Sequence, residues 1–263
     1  MRKRSATRTP THAKLSFPDG HQAQVLYTPQ GTSSQAIITA LDVAPPRGVL
    51  IFTGGTAQLS DDLQARLGQA VQDGIARVAA EAQITLVTGA TDAGVFSLLG
   101  QGLERWGRSA PCIGVTVGSL VQHPEPAPVW IHPAPPEGAL TPLEPHHSHF
   151  VLVEGAQWGD ETATLFAVAE TLSARAPSVL VFASGGAILR REVVTNVRQR
   201  RPLICIAGSG RFADELAAVL RGERAAEAAD VEEIVRDGQI TLFDLRQPPE
   251  ELATLIKQHL GME

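Results

Sequence analysis

The sequence predicts an α/β fold of the Rossmann-like, three-layer kind, with a mainly parallel sheet between two helical layers and a β-hairpin before it. The main observation is a set of short apolar runs that end in glycine, at 48–55, 84–89, 150–155, 179–186 and 203–210. Runs without a polar face suit strands that are covered on both sides. Helical periodicity follows these runs, which indicates right-handed crossovers and a parallel sheet. The glycine-bearing strand ends then share one edge, where open α/β folds bind ligands.

Length, composition and charge narrow the class of protein. A chain of 263 residues with 43% hydrophobic and 19% charged residues can bury a sizeable core. The formal net charge of -6 argues against a general nucleic-acid binder. Cys112 and Cys205 lie in strand-like runs, so we expect buried, reduced thiols and a cytoplasmic location. No apolar run approaches the ~20 residues that a membrane span needs.

The first segments in chain order are a basic arm and a hairpin. Residues 1–13 carry basic side chains and no acid, so we expect a disordered, solvated arm; contact with nucleic acid or a membrane is the alternative. Residues 14–263 are expected to form one domain. Within 14–28, apolar and polar residues alternate around Pro18-Asp19-Gly20, which predicts the hairpin.

The core of the domain is expected at 48–222. Apolar residues return at helical spacing after the glycine turns, and Ser60 before Asp61 is a typical helix start. The segment 118–146 breaks this alternation with many prolines and predicts an irregular insertion. Residues 239–262 are expected to add a last strand and a terminal helix.

The glycine turns predict a site for an anion. Glycine at a strand-to-helix junction lets a ligand approach the N–H groups at the positive end of the helix. The chain has neither a Walker lysine motif nor a complete GxGxxG, which argues against a nucleoside triphosphatase and an ordinary nicotinamide dehydrogenase. A phosphate- or ribose-bearing ligand remains. Arg211, after Gly208-Ser209-Gly210, is expected to hold the phosphate with its guanidinium; a surface arginine beside a turn is the alternative.

Histidines and acids near the strand ends are weaker candidates. His147 and His149 would share one face of a strand, but no third ligand accompanies them, so we expect no metal and a structural or ligand-contacting role. Asp160 and Glu161 stand at a helix start, where acids ordinarily stabilise the helix dipole. A carboxylate there can also accept ribose hydroxyls or act as a general base.

Six motifs together resemble a known family. They are FTGGT at 52–56, VTGATDAGV at 87–95, HSHFVLVEG at 147–155, GDE at 159–161, VFASGG at 181–186 and GSGR at 208–211. In this order, over about 49–220, they resemble the SLOG domain of TRPM cation channels in its stand-alone prokaryotic form.

The resemblance implies a sensor or binding domain for nucleotide derivatives, with ADP-ribose and its relatives as ligands and no further cofactor. It also implies a homo-oligomer and a separate effector partner. The family's phosphate-contacting serine and arginine match Ser209 and Arg211. The candidate ligand-binding residues are Thr53, Gly54, Gly55, Thr56, Gln58, Gly89, Thr91, Asp92, Gly94, Gly155, Gly159, Glu161, Gly185, Gly186, Gly208, Ser209, Gly210 and Arg211.

Two alternatives stay open. The wider superfamily includes phosphoribohydrolases that act on nucleoside monophosphates and carry PGGxGTxxE; by chain order the corresponding place here is 154–161, EGAQWGDE, with Glu161 as general base. The proline and the glycine-threonine pair of that motif are not reproduced there, which argues against hydrolysis. The second alternative is a structural or interaction protein without a ligand.

Overall fold

A nine-stranded sheet between two layers of helices forms the fold in the computed structural model, which describes residues 9–57, 59–107, 110–122 and 140–262. The strands are β1 Thr11–Ser16, β2 Gln22–Thr28, β3 Val49–Gly54, β4 Thr85–Thr88, β5 Cys112–Val117, β6 Val121–Gln122, β7 Thr141–Pro142, β8 His149–Val153, β9 Ser178–Ala183, β10 Leu203–Ala207 and β11 Ile240–Asp244. The helices are α1 Ser34–Leu41, α2 Asp61–Gln69, α3 Arg77–Ala82, α4 Val95–Trp106, α5 Thr162–Leu172, α6 Ala187–Arg198, α7 Arg211–Leu220, α8 Ala229–Asp237 and α9 Pro249–His259.

The sheet is parallel except at its first edge, as the sequence predicts. Its strand order is β1-β2-β8-β5-β4-β3-β9-β10-β11, and only β1 and β2 pair antiparallel. The hairpin extends the main sheet, because β2 pairs parallel with β8 from Gln24 opposite His149 to Thr28 opposite Val153. The chain proceeds from β3 towards one edge and later from β9 towards the other, so the strand order reverses between these two neighbours. Such a reversal is where doubly wound folds open a crevice for ligands.

Two large apolar cores lie on the two faces of the sheet and confirm the three-layer prediction, and a third, smaller cluster involves the hairpin and β8. One core takes its helical residues from α1, α5, α6, α7 and α8. The other takes them from α2, α3, α4 and α9. Strand residues alternate between the cores: Ile51 of β3 belongs to the first, whereas Leu50 and Phe52 belong to the second. The central strands are mainly apolar because both of their faces are buried.

Helix α2 begins where the sequence predicts. The Ser60 hydroxyl accepts a hydrogen bond from Leu63 N at 3.4 Å, and acids occupy the first turn. The predicted single helix contains a π-helical segment, Ala70–Ala76, between α2 and α3. Among the described residues no helix is long and apolar enough to cross a membrane.

The predicted basic arm and insertion meet the described structure at their ends. Strand β1 begins at Thr11, so residues 11–13, expected in the arm, pair with β2 instead, because they continue the alternation of the hairpin. Residues 1–8 lie outside the described part of the chain. The insertion predicted at 118–146 is described only at its ends, where β6 pairs with β7 and Thr91 forms a bridge with Leu143. These ends are therefore ordered by pairing rather than irregular.

Two helical glycines test the packing between the α4 layer and its neighbours. An ideal Cβ on Gly102 would lie 2.6 Å from Ala76 Cβ and 2.9 Å from Gln72 Cα, whereas one on Gly68 would meet only side-chain atoms, at 3.5 Å or more. We expect Gly102→Ala to lower the free energy of unfolding by roughly 1–2 kcal/mol, since overpacking outweighs the gain in helix propensity. Gly68→Ala is the matched control and is expected to raise it by up to about 1 kcal/mol. Urea unfolding of both variants gives the values, and equal shifts of the two midpoints would contradict the described packing.

Candidate functional site

A cavity of about 500 Å³ opens at the carboxyl edge of the sheet, beside the reversal between β3 and β9. Its walls are the loops after β3 and β4, the start of α5 and the first turns of α6. Half of the predicted ligand-binding residues line it: Thr53, Gly54, Gly55, Thr56, Gly89, Thr91, Glu161, Gly186 and Arg211. The topology thus brings residues from distant parts of the sequence to one cavity.

The other predicted residues do not line this cavity. They are Asp92, Gly94, Gly155, Gly159, Gly185, Gly208, Ser209 and Gly210, whereas Gln58 lies outside the described residues. Gly94 illustrates why glycine is needed there, because its φ is 53° and a Cβ would lie 2.6 Å from Thr56 Cα. The Asp92 carboxylate accepts a hydrogen bond from the Ser97 hydroxyl at 2.6 Å. These two residues shape the rim of the cavity from outside.

Ser209 connects two loops of the protein. Its side chain is fully buried, donates a hydrogen bond to Ile206 O at 2.6 Å and accepts one from Ser184 N at 2.8 Å. Both bonds tie the loop after β10 to its own strand and to the loop after β9. In this structure the Ser209 hydroxyl therefore faces protein atoms and not the cavity.

Arg211 is placed by the same two loops. Phe212 N donates to Gly185 O at 3.3 Å and Ala213 N to Ser184 O at 3.1 Å, so these amides of α7 are already occupied. Arg211 itself has a φ of 54°, a left-handed conformation that is uncommon for a side chain of this size. Its guanidinium lies across Gly186, with Nη2 only 3.1 Å from where a Cβ would stand.

The first turn of α6 faces this guanidinium. Gly186 is its N-cap and lines the cavity together with Ala187 and Ile188. Within the described residues the amides of Ala187 and Ile188 have no hydrogen-bond partner. Free N–H groups at the positive end of a helix and a guanidinium beside them create a strongly anion-favouring position.

Two carboxyl groups, the half-buried Glu161 and the buried Glu192, occupy another wall. Burial raises the pKa of Glu161 to about 7, repulsion from Glu192 and Asp160 adds to this, and hydrogen bonding with backbone N–H groups partly offsets it. One of those bonds comes from Gly159 N at 2.8 Å. Glu161 is therefore partly protonated near neutral pH and can both donate and accept hydrogen bonds.

Glu192 was missed by the sequence analysis. It lies on α6, is 5% exposed, and lines the cavity. The hydroxyls of Thr53 and Thr162 donate to its two carboxyl oxygens, and burial raises the pKa of this group as well. The sequence did contain a signal for Glu192, because this residue stands six positions after Gly186. In PGGxGTxxE the glutamate follows the second glycine of the GG pair by the same six positions.

Trp158 was also missed as a site residue. At 41% exposure it is the one exposed large apolar side chain of the described residues, and it lines the cavity. Its loop is held by Asp160, whose carboxylate accepts hydrogen bonds from Ala156 N at 2.9 Å and Gln157 N at 3.2 Å. A fixed loop thus presents an aromatic surface at the cavity.

A buried ion pair supports the rim formed by the loop after β4. Burial disfavours a charged Glu144, but hydrogen bonds from His146 and His147 at 2.6 and 2.7 Å outweigh it and lower the pKa of Glu144 to about 2. The pKa of His147 is raised above its ordinary value despite burial, through its interactions with Cys112 and Glu144. Glu144 N also donates to Ala90 O at 2.9 Å. The histidines of the HSHF region therefore include a structural one, His147.

Comparisons with known proteins place the chain among TRPM-related sequences. The profile of a domain family described as SLOG in TRPM, prokaryote, matches residues 47–254. The chain is 30% identical over 200 residues to a Caenorhabditis elegans protein named Transient receptor potential channel, which covers 66% of this chain and 10% of that protein. It is 25% identical over 223 residues to Transient receptor potential cation channel subfamily M member 2 of Mus musculus, which covers 73% of this chain and 14% of that protein. The chain thus spans a small part of the length of these relatives.

The carboxyl pair gives a prediction about protonation. We expect Glu161 to titrate near pH 7 instead of its ordinary 4.5, and Glu192→Gln to lower that midpoint, since it removes a repelling carboxylate. NMR of the labelled glutamate carboxyl carbons measures both midpoints. Glu170→Gln, on the outer side of α5, is the control and is expected to leave Glu161 unchanged. A wild-type midpoint near 4.5 would mean that the Glu161 carboxyl is fully solvated.

Proposed function

The chain belongs to the prokaryotic family of SLOG domains related to TRPM proteins, and from this premise and the cavity we propose that it is a cytoplasmic binding domain for a nucleotide-derived ligand. Family membership supports a nucleotide-related binding domain in general. The observation that carries the proposal is the position of the Arg211 guanidinium across Gly186, opposite the free amides of the first turn of α6.

A phosphate group fits this position best. It would accept hydrogen bonds from the amides of Ala187 and Ile188 while the guanidinium forms a two-pronged contact from the other side. Gly186 leaves space between them, because a side chain there would meet the Arg211 Nη2 atom at 3.1 Å. Within the described residues the guanidinium has no ion-pair partner of its own, so the ligand does not have to displace a carboxylate.

The remaining walls suit the other parts of a nucleotide. Glu161, partly protonated, and the carboxyl group of Glu192 can exchange hydrogen bonds with pentose hydroxyls. Trp158 offers an exposed ring on which a base can stack, a contact worth ~1–3 kcal/mol for bases on aromatic side chains. Among nucleotides, the resemblance described above favours ADP-ribose or a related signal. Since the relatives carry the matched segment within much longer chains, we further propose that binding is reported to an effector.

Arg211 gives the test of this proposal. Because a charge-assisted contact in a partly desolvated cleft contributes on the order of 2 kcal/mol, we expect Arg211→Ala to weaken binding at least roughly tenfold. Arg211→Lys is expected to restore only part of the affinity, since an ammonium keeps the charge but loses the planar fork. Calorimetry against ADP-ribose, cyclic ADP-ribose, NAD and AMP, first with the wild type, gives the affinities.

The matched control is Arg221→Ala, which removes an exposed arginine that is paired with Asp244 and does not line the cavity. Its affinities are expected to equal those of the wild type. Melting temperatures show whether either variant has lost its fold. An Arg211→Ala variant that is folded and binds like the wild type would refute the proposed phosphate position.

A second candidate function is hydrolysis of an N-glycosidic bond, and the pair of carboxyl groups in the cavity favours it. Glu161 and Glu192 line the same cavity, and repulsion from Glu192 helps to raise the pKa of Glu161. In such a reaction one carboxylate takes a proton from water as the water oxygen bonds to the anomeric carbon. The bond to the base nitrogen breaks, and the protonated carboxyl gives its proton to the leaving base.

Turnover separates the two functions. With AMP as substrate and chromatography of the released base, the hydrolytic function predicts a loss of at least roughly a hundredfold in rate for Glu161→Gln and for Glu192→Gln. Affinity is expected to change little, and Glu170→Gln serves again as the control. If AMP, NAD and ADP-ribose all stay intact over hours with wild-type protein that binds them, hydrolysis is excluded for these ligands.

A further inference from the structure

Two buried threonines line the cavity without using their hydroxyls. Thr91, in the loop after β4, is 6% exposed, and Thr116 of β5 is 2% exposed. In the part of the chain that the structure describes, neither hydroxyl has a hydrogen-bond partner. A buried hydroxyl that stays unbonded costs free energy, and native structures bond the large majority of such groups. These two hydroxyls are therefore available to a bound ligand.

The cavity wall beside these hydroxyls is apolar. Ala90 and Val115, their neighbours in the chain, and Phe96 line the same cavity, and each is at most 7% exposed. A phosphate or a pentose would leave such a wall without apolar contact. A planar heterocycle fits it better, because its faces cover apolar side chains while the polar atoms of its edge meet the few hydroxyls.

The strand order separates the two hydroxyls from the proposed phosphate position. Along the sheet the neighbours are β5, β4, β3, β9 and β10, so Thr91 and Thr116 stand on one side of β3 and Gly186 and Arg211 on the other. Adjacent strands lie ~4.8 Å apart, so three spacings put β5 roughly 14 Å from β9. A nucleoside monophosphate covers this span when a hydrogen bond is added at each end. Because all four residues line one cavity, a single ligand can reach both groups.

We propose that Thr91 and Thr116 determine specificity for the base of the ligand, through hydrogen bonds between their hydroxyls and polar atoms on the edge of a heterocyclic base. This inference rests on the proposed function and adds the residues that recognise the base. Stacking on Trp158 involves the face of the base, whereas the two threonines meet its edge. Each hydroxyl can both donate and accept, so the pair suits an edge where a ring nitrogen stands beside an exocyclic amino or oxo group.

The prediction compares AMP and ADP-ribose with ribose 5-phosphate by calorimetry. All three probes carry phosphate and pentose, but ribose 5-phosphate has no base. We expect Thr91→Val and Thr116→Val each to weaken binding of AMP and ADP-ribose by roughly three- to tenfold, since one hydrogen bond is lost. Binding of ribose 5-phosphate is expected to change by less than about twofold, because it does not use these hydroxyls.

The same two variants give a second readout, because valine has nearly the shape of threonine but no hydroxyl. Removing an unbonded buried hydroxyl is expected to raise the melting temperature of the ligand-free protein by about 2–4 °C. A loss of affinity in a more stable protein cannot come from a damaged fold. Thr28→Val is the matched control, because the enclosed Thr28 hydroxyl also lacks a partner among the described residues, yet Thr28 does not line the cavity. This control is expected to stabilise the protein and to leave all three affinities unchanged.

The outcomes separate this inference from the proposed function. If the wild type binds AMP or ADP-ribose in an Arg211-dependent way but both valine variants leave these affinities unchanged, the base subsite is wrong and the proposed function stands. The same conclusion follows if the variants weaken ribose 5-phosphate as much as the nucleotides, or if the wild type binds all three probes equally. If the wild type binds none of the three, both fail. A loss confined to the probes that carry a base, in variants that melt no lower than the wild type, supports the subsite.

Discussion

The hydrogen bonds between the loop after β9 and the loop after β10 are the constraint on which the site depends. The carbonyl oxygens of Ser184 and Gly185 accept hydrogen bonds from the amides of Ala213 and Phe212. The Ser209 hydroxyl accepts one from the Ser184 amide. These bonds occupy the amides of α7 and fix its first residue in a left-handed conformation. As a result, the first amides of α7 are not available to a ligand, and α7 contributes the Arg211 guanidinium to the site instead. Helix α6 contributes the free amides of its first turn.

The placement of charge around the cavity follows from burial. Burial raises the pKa of both Glu161 and Glu192, and repulsion from Glu192 raises that of Glu161 further. Their negative charge therefore does not fully neutralise the positive charge of Arg211 at the other end of the cavity. One end of the cavity favours an anion, and the carboxyl groups at the other end can exchange hydrogen bonds with hydroxyls. Such a site can orient a molecule that has a phosphate at one end and hydroxyls at the other.

The sheet and its glycine turns could be predicted from the sequence, because a strand that is buried on both faces requires an uninterrupted run of apolar residues. The side chains of the site were harder. Ser209 has the same neighbours in sequence as a ligand-contacting serine, and only the three-dimensional contact with Ser184 reveals its structural role. Acidic residues within helices ordinarily face solvent, so a helical position alone does not reveal that Glu192 is buried. Its burial follows from the packing of α6 near β3, where the Thr53 hydroxyl bonds to it. His147 looked like a possible ligand, but its partner Glu144 is supplied by the end of an insertion that sequence periodicity does not describe.

The pairing of β6 with β7 holds Val121–Gln122 beside Thr141–Pro142, two segments that are far apart in sequence. The second segment is then held in place by the nearby Glu144, whose amide bonds to Ala90 at the cavity rim. Because the two segments are fixed to each other, the entropy cost of lengthening the chain between them is expected to grow slowly. Thr141 of β7 lines the cavity, so the pairing of β6 with β7 also holds this part of the cavity wall in place relative to the rest of the domain.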